Sequence, residues 1–429
     1  MPEPDLRLGI DVGGTNTDAV VLDRDDRVVD KAKLATTADV MTGVSEAIAA
    51  ATEALGEDRS RITHVMLGTT HVTNAVLARR DLKRVAVLRI GGPATRSVPP
   101  LATWPADLRN VATVGAEVVE GGFELDGTEI APFDADATAR LFASVAGTAD
   151  SVAITSVFAA VSEQHELAAA EIARAEMGEV HVSLSHEIGT LGLIERENAT
   201  ILNAALVGLA DQIATALGDA LAAHDLTPAA FLAQNDGTLM SLAHALRFPV
   251  LTIGSGPANS MRGAAHLSGT ADALIADVGG TSTEIGTVVG GFPSESNDVI
   301  GLGGVRTNFR MPDVVVIQVG GGTVIGDGER GARVGPDSVG YRLANAALVF
   351  GGATATLTDA AVGAGRAALG DATRIDGKAP MLASGLARSD VLLADAIDRA
   401  KIVRGEPPLI VVGGASFLVP DNLPGVSSV

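Results

Sequence analysis

Residues 11–18 read DVGGTNTD, and residues 277–284 read DVGGTSTE. Six of the eight positions are identical, and the two that differ, Asn16/Ser282 and Asp18/Glu284, are similar. Each copy follows an apolar run (LRLGI, ADALIA) and precedes another (AVVLD, IGTVV), which predicts a strand–turn–strand unit occurring twice. Paired glycines let the main chain approach a ligand with no Cβ in the way. Successive N–H groups then form a concave anion site. On this reading Gly13, Gly14, Thr15, Asn16 and Thr17 of the first copy cradle phosphates. Gly279, Gly280, Thr281, Ser282 and Thr283 do the same in the second. Asp11 and Asp277 each end a strand beside a turn. A bare carboxylate repels a phosphate, so both are expected to act through Mg²⁺, as metal ligands and catalytic groups. Two such loops are expected to clamp a polyphosphate from both sides.

Working outward, apolar runs predict a hairpin at Leu6–Ile10 and Ala19–Leu22, then a strand at Val28–Leu34. Helical spacing follows at Val40–Leu55, then a strand at His64–Leu67, a helix at Asn74–Arg80, a strand at Arg84–Arg89 and a Pro/Gly-rich loop at Gly91–Pro105. Further on come a strand at Ser151–Phe158, a helix at His165–Met177 and a strand at Val180–Ser185. Glu195–Ala223 reads as one long Ala-rich helix bridging two domains. The expected division is residues 1–190 and 191–429, the second domain opening with that helix. A second hairpin is expected at Ala273–Val289 and strands at Val314–Val319 and Leu409–Val412. Gly-rich stretches after strands add Gly320, Gly321 and Gly322, and Gly413 and Gly414, as nucleotide contacts. GSGPANS at 254–260 is open between a helix-start anion site and a packing turn.

The chain has 429 residues, beyond the roughly 250–300 that one core sustains, so two domains are expected. A net charge of −21 without a basic cluster argues against nucleic acid or an anionic membrane as partner. The absence of cysteine removes disulfides, thiolate metal sites and cysteine nucleophiles. The N-terminus lacks the basic and apolar regions of a secretion signal, and no uninterrupted apolar stretch approaches a membrane span; a cytoplasmic protein is expected. No P-loop, HExxH or GxSxG motif is present.

The ordered series GIDVGGTNTDAVVLD, LGTTHVTNAVLAR, IERENATILNA, TIGSGPANSMRGAA, DVGGTSTEIG, VGGGTVIGDGERGARVGPDSVG and VVGGASFL resembles A-type chains of the hydantoinase/oxoprolinase family, over nearly the whole chain. The resemblance implies an α/β fold of the actin-like ATPase (ribonuclease H-like) type, two related domains around a nucleotide cleft. It implies a hydantoinase/oxoprolinase N-terminal domain followed by a hydantoinase A domain. It implies ATP and Mg²⁺, and ATP-dependent ring opening of a cyclic amide such as a hydantoin, 5-oxoproline or a lactam. The amide oxygen is phosphorylated, and a separate B-type subunit often completes hydrolysis. A homo-oligomer is also open. Carried over by motif, Thr70 is a catalytic donor, and Thr69, Asn74, Glu195 and Asn198 are substrate residues. The bland alternative for the last two is capping and ion pairing of the bridging helix. The chain departs from the family pattern at Leu67, commonly His; at Asn16, commonly aromatic; and after GPDSVG, where it reads YRLANAALVFGG. Two other readings stay open: a small-molecule kinase of the same fold, and a non-catalytic ATP-dependent regulatory subunit.

Overall fold

The computed structural model describes residues 5–13, 16–35, 40–189, 191–296, 300–328, 331–421, 423 and 425–428. The chain forms two compact units, Met1–Gly256 with Asn297–Met311, and Pro257–Ser296 with Pro312–Val429.

The first unit begins with the hairpin β1 (Leu6–Val12) and β2 (Asn16–Leu22), extended by β3 (Val28–Ala35). Residues of β1 alternate between buried and more exposed, the two-residue period of a strand with one face on a core. β4 (Ile62–Thr69) runs parallel to β1 on its other side, followed outward by β9 (Ala229–Ala233) and β10 (Leu239–Ser241). A separate parallel sheet has the order β6-β5-β7-β8, from β5 (Val85–Gly92), β6 (Thr113–Glu120), β7 (Ser151–Ser156) and β8 (His181–Leu184). The helices Ala135–Val145 and Gln164–Met177 cover it with Leu141, Phe142, Ala169 and Ala173. β6 and the helix Ala135–Val145 lie in a region to which the sequence reading assigned no element.

The second unit repeats the opening pattern. β11 (Ala273–Val278) has antiparallel β12 (Thr283–Val289) on one side and parallel β19 (Pro408–Val412) on the other. β13 (Phe292–Pro293) and β16 (Val314–Ile317) extend the β12 edge, and β20 (Ser427–Ser428) pairs with β19. The duplicated sequence is thus a duplicated sheet corner. β17 (Thr323–Gly328) and β18 (Gly331–Ser338) form a separate hairpin. The short pair β14 (Ile300–Leu302) and β15 (Val305–Thr307) belongs to the first unit, where Leu302 and Val305 join the core. The helix Ala379–Arg399, absent from the sequence reading, packs Leu382, Leu386 and Leu393 inward.

The long helix, Leu193–Ala223, packs within the first unit, against the helix Val40–Thr52, β7, β8 and β15. Contact density therefore divides the chain at Gly256, whereas the sequence expectation placed a boundary near residue 190. Nearly all faces of this helix find apolar partners in the first unit, so its Ala-rich composition reflects close packing. By length and composition alone it is apolar enough to cross a membrane, contrary to the expectation that no stretch approaches that criterion. The structure packs 67% of its most apolar window inside the protein.

Glu197 on this helix forms a two-pronged ion pair with Arg89 of β5, both bonds 2.6 Å, with both side chains buried. Arg89 also donates to Val98 O in the segment after β5. Next along the helix, Arg196 donates to Ser185 Oγ at 3.0 Å and to Ser156 O at 2.7 Å. Glu166 accepts from Ser156 N, from Ser185 Oγ and from His186 N, which gathers the ends of β7 and β8 at the start of the helix. Removing one partner of a buried pair strands the other charge. Arg89→Met should lower unfolding free energy by about 3–5 kcal/mol, and Arg89→Met/Glu197→Leu should recover most of it. Denaturant unfolding of the two variants checks this; equal losses would show that the pair's charges are not what couples the sites.

Candidate functional site

In the first unit, antiparallel register sets Asp11 opposite Asp18, and β4 places Gly68 beside Asp11 and Thr69 beside Val12. Registered side chains share a face of the sheet, so two carboxylates stand side by side. β3 places Lys33 opposite Asp18, with Nζ 2.8 and 2.9 Å from its two oxygens. Gly13 N closes the turn on Asn16 O at 3.0 Å. Thr17 is buried. Gly14 and Thr15 lie outside the described residues. Thr70 donates to Val12 O from both N (3.3 Å) and Oγ1 (3.4 Å), which fastens the 68–70 stretch to the same turn. Asn74 Nδ2 donates to Thr70 Oγ1 at 3.4 Å, and Thr69 Oγ1 lies 2.8 Å from His71 Nδ1. Burial pushes the His71 imidazole below its ordinary range. Asp11, Gly13, Thr69, Thr70 and Asn74 are thus drawn to one end of one sheet.

The second unit repeats this with one change. Register sets Asp277 between Glu284 and Val412, and Glu284 beside Val316. Val316 occupies the place that Lys33 takes in the first unit. With no cation there, burial and then the Asp277 charge push Glu284 up to about 7. Ser260 Oγ donates to Asp277 Oδ2 from the helix Ser255–Ser268, into which the GSGPANS stretch folds. Gly279 N closes this turn on Ser282 O at 2.9 Å, as Gly13 does in the first copy.

The glycines divide by what they do. Gly321 N donates to Gly279 O (3.0 Å), Gly322 N to Gly280 O (2.7 Å) and Gly320 N to Thr323 Oγ1 (2.8 Å). A Cβ on Gly320 would sit 2.6 Å from Gly279 O. Gly321 and Gly322 brace the turn with their N–H groups, and Gly320 packs against it with its own N–H spent on Thr323. Thr283 Oγ1 ties the same stretch through Val319 O at 2.6 Å. Gly413 has φ +94°, and a Cβ there would lie 2.5 Å from Asp277 Oδ1. Gly280 and Gly414 differ: a Cβ on either meets nothing within 4 Å. The N–H groups of Gly280, Thr281 and Ser282 have no acceptor among the described residues. Open space over glycine beside unspent donors is a cradle that fits an anion.

Glu195 and Asn198 sit at the start of the long helix. Asn198 is buried and uses both ends of its amide, accepting from Trp104 Nε1 at 2.7 Å and donating to Arg306 O at 2.8 Å. Glu195 lies 3.9 Å from Arg306. Sequence reasoning passed over Glu284 and Ser260. The repeat itself held a signal for Glu284, because its partner Asp18 pairs with Asp11 in the first copy.

Two sheet corners with carboxylate-flanked DVGGT turns, in an α/β chain, define the actin-like ATPase class of fold. Sequence models place the chain further: the hydantoinase/oxoprolinase N-terminal region matches residues 7–177, and hydantoinase/oxoprolinase matches residues 196–398. The chain belongs to the hydantoinase/oxoprolinase family. It is 28% identical over 386 residues to the caprolactamase subunit alpha of Pseudomonas jessenii, covering 84% of this chain and 54% of that protein. It is 25% identical over 392 residues to an uncharacterized Methanocaldococcus jannaschii protein, covering 84% and 56%. The chain thus spans about half the length of these relatives. The crystal structure of ATP-dependent caprolactamase from P. jessenii matches with a TM-score of 0.80 at 23% identity, over 96% of this chain and 66% of that one. Nucleotide-free acetone carboxylase matches with a TM-score of 0.67 at 18% identity, over 92% and 62%. The matched segments are separated by residues 178–195, so family segments and compact units divide the chain at different points.

Glu284 gives a pH test of the second corner. Its folded pKa lies above the unfolded value, so the folded chain holds a proton that the unfolded chain releases between about pH 4.5 and 7. Stability falls as pH rises through that window and is level above it. Glu284→Gln removes the effect and should stabilise the protein above pH 7 by roughly 3 kcal/mol, an advantage that fades toward pH 4.5. Unfolding free energy measured from pH 4.5 to 8 in chelator checks this; parallel profiles for both proteins would contradict it.

Proposed function

We propose that the chain binds ATP·Mg²⁺ at its second DVGGT turn and activates a cyclic amide for hydrolysis. The observation that carries the reading is the second turn, where unspent N–H groups and the open space over Gly280 and Gly414 adjoin a carboxylate pair. The family supports the substrate class, a hydantoin, 5-oxoproline or lactam ring. The caprolactamase subunit alpha is a relative whose name carries that chemistry.

The donor set suits Mg²⁺. Among the described residues no group of three or more His, Cys, Asp and Glu is placed to hold a metal. One or two carboxylates with phosphate oxygens and water is the arrangement Mg²⁺ favours. In the second unit Asp277 would hold it, and when bound it would neutralise phosphate charge. In this reading the N–H groups of Gly280, Thr281 and Ser282 bind phosphate oxygens, and Ser260 orients the Asp277 carboxylate.

An unstrained amide is a poor electrophile, and phosphorylating its oxygen supplies a leaving group. The amide oxygen forms a bond to the γ-phosphorus as the bond to the β-phosphate oxygen breaks, releasing ADP. Water then adds to the carbon, the ring nitrogen departs with a proton to leave an acyl phosphate, and a second water releases phosphate from it to give the carboxylate. Such transfer depends on position and charge more than on covalent help. Thr70 and Asn74 carry donors suited to the amide oxygen, and Thr69 sets the His71 ring beside them. Asn198 and Glu195 hold the fold around that region. A B-type partner subunit completes hydrolysis.

The experiment is ATP turnover against a panel of hydantoins, 5-oxoproline and lactams, with and without a B-type partner. Turnover raised by one ring class supports the reading, and stimulation only by alcohols would replace it with a kinase. Asp277→Asn should abolish stimulated turnover while leaving the thermal midpoint near wild type. Thr70→Val keeps shape and removes the hydroxyl. It should lower stimulated turnover by about one to two orders of magnitude, roughly 1.4–2.8 kcal/mol, with ATP affinity kept. Full turnover in Thr70→Val would make the 68–70 stretch purely structural.

A further inference from the structure

Tyr341 is the chain's single tyrosine, in a protein with 3% aromatic residues, and its side chain is 79% exposed. The segment that carries it is not loose. Ser338 Oγ donates to Gly280 O at 3.3 Å, and Val339 N donates to Gly322 O at 2.9 Å. Gly340 N in turn donates to Ser338 Oγ at 3.2 Å. Gly340 takes φ +53°, and a Cβ there would be 3.6 Å from the Thr281 methyl. On the far side of Tyr341, Leu343 reaches to 4.0 Å from the Cβ position of Gly321. Residues before and after the tyrosine are therefore fixed to the second turn and its brace, while its own ring is left to solvent.

The neighbouring turn gives this exposed ring a direction. The unspent N–H groups of Gly280, Thr281 and Ser282 mark where phosphates bind, one residue from the backbone that presents Tyr341. A nucleotide held there by its phosphates must place its base within a ribose and a polyphosphate of the turn. Phe417, three residues past Gly414, is partly buried against the core, whereas the Tyr341 ring stands in solvent. An aromatic ring in water gains by stacking on a base, whose π-face it covers without regard to base identity.

We propose that Tyr341 is the stacking platform for the nucleobase. The proposal rests on the ATP reading above and adds a residue that fixes how the nucleotide lies. It also states a specificity: stacking holds any purine, so ATP and GTP bind alike unless other groups discriminate.

The test is calorimetric titration of wild type, Tyr341→Ala and Tyr341→Phe with ATP and with inorganic tripolyphosphate, in Mg²⁺. Tyr341→Ala should weaken ATP roughly 5- to 100-fold, the range that base–aromatic stacking commands, while Tyr341→Phe stays within about twofold of wild type. Tripolyphosphate, which has no base, should bind all three within about twofold. The fluorescence of 2-aminopurine riboside triphosphate should be quenched by wild type and Tyr341→Phe and much less by Tyr341→Ala. Wild-type ATP affinity in Tyr341→Ala overturns the platform, as does an equal loss for tripolyphosphate. Failure of the wild type to bind ATP overturns the ATP reading itself, and is separate from both.

Discussion

Antiparallel register forces two carboxylates together at each DVGGT turn, and much else follows from how each pair is settled. Like charges directly opposite on neighbouring strands oppose folding. In the first unit Lys33 answers Asp18 from the next strand. In the second, Val316 stands in the corresponding place, and Glu284 takes up a proton at neutral pH. The two corners share the antiparallel strand pairing and the same closing bond from glycine N–H to the carbonyl three residues on. They differ in electrostatics. A corner left without a protein cation is the one best suited to receive an external one, and Mg²⁺ with its phosphates fits that role.

The glycine-rich stretches serve this corner in different ways. Gly321 and Gly322 turn their N–H groups onto the carbonyls of Gly279 and Gly280 and so hold the turn in shape. Gly413 gives Asp277 room. Gly280 and Gly414 have no such internal duty. The fold thus separates bracing from binding, although the three stretches look alike as sequence.

Much of the fold was legible because its strands carry strong period-two patterns and its turns repeat. Both hairpins, the parallel partners at Ile62–Thr69 and Pro408–Val412, and the long helix were all readable. The helix Ala379–Arg399 carried its start signal, a proline in the first turn, but its acids and serines blur the apolar face. β17 and β18 were hidden in VIGDGERGARVGPDS, where glycine weakens the alternation that marks a strand. The long apolar helix reads as the start of a second domain, and the second family segment begins within it, while its burial in the first compact unit depends on strands far away in sequence. At the candidate site, the repeat named the turns, but the division of glycine roles rests on three-dimensional contacts. The raised pKa of Glu284 comes from burial and from the Asp277 charge beside it, a placement that strand register sets.

The central claim is that the second DVGGT turn is an anion cradle, and Gly280 tests it most directly. A Cβ there touches nothing in the protein within 4 Å, so Gly280→Val should fold and melt close to wild type. Its side chain would nonetheless fill the space over the unspent N–H groups. Calorimetric titration with Mg²⁺ and a non-hydrolysable ATP analogue should show one site in wild type and at least about a hundredfold weaker binding in Gly280→Val. Equal affinity in a folded variant would contradict the account.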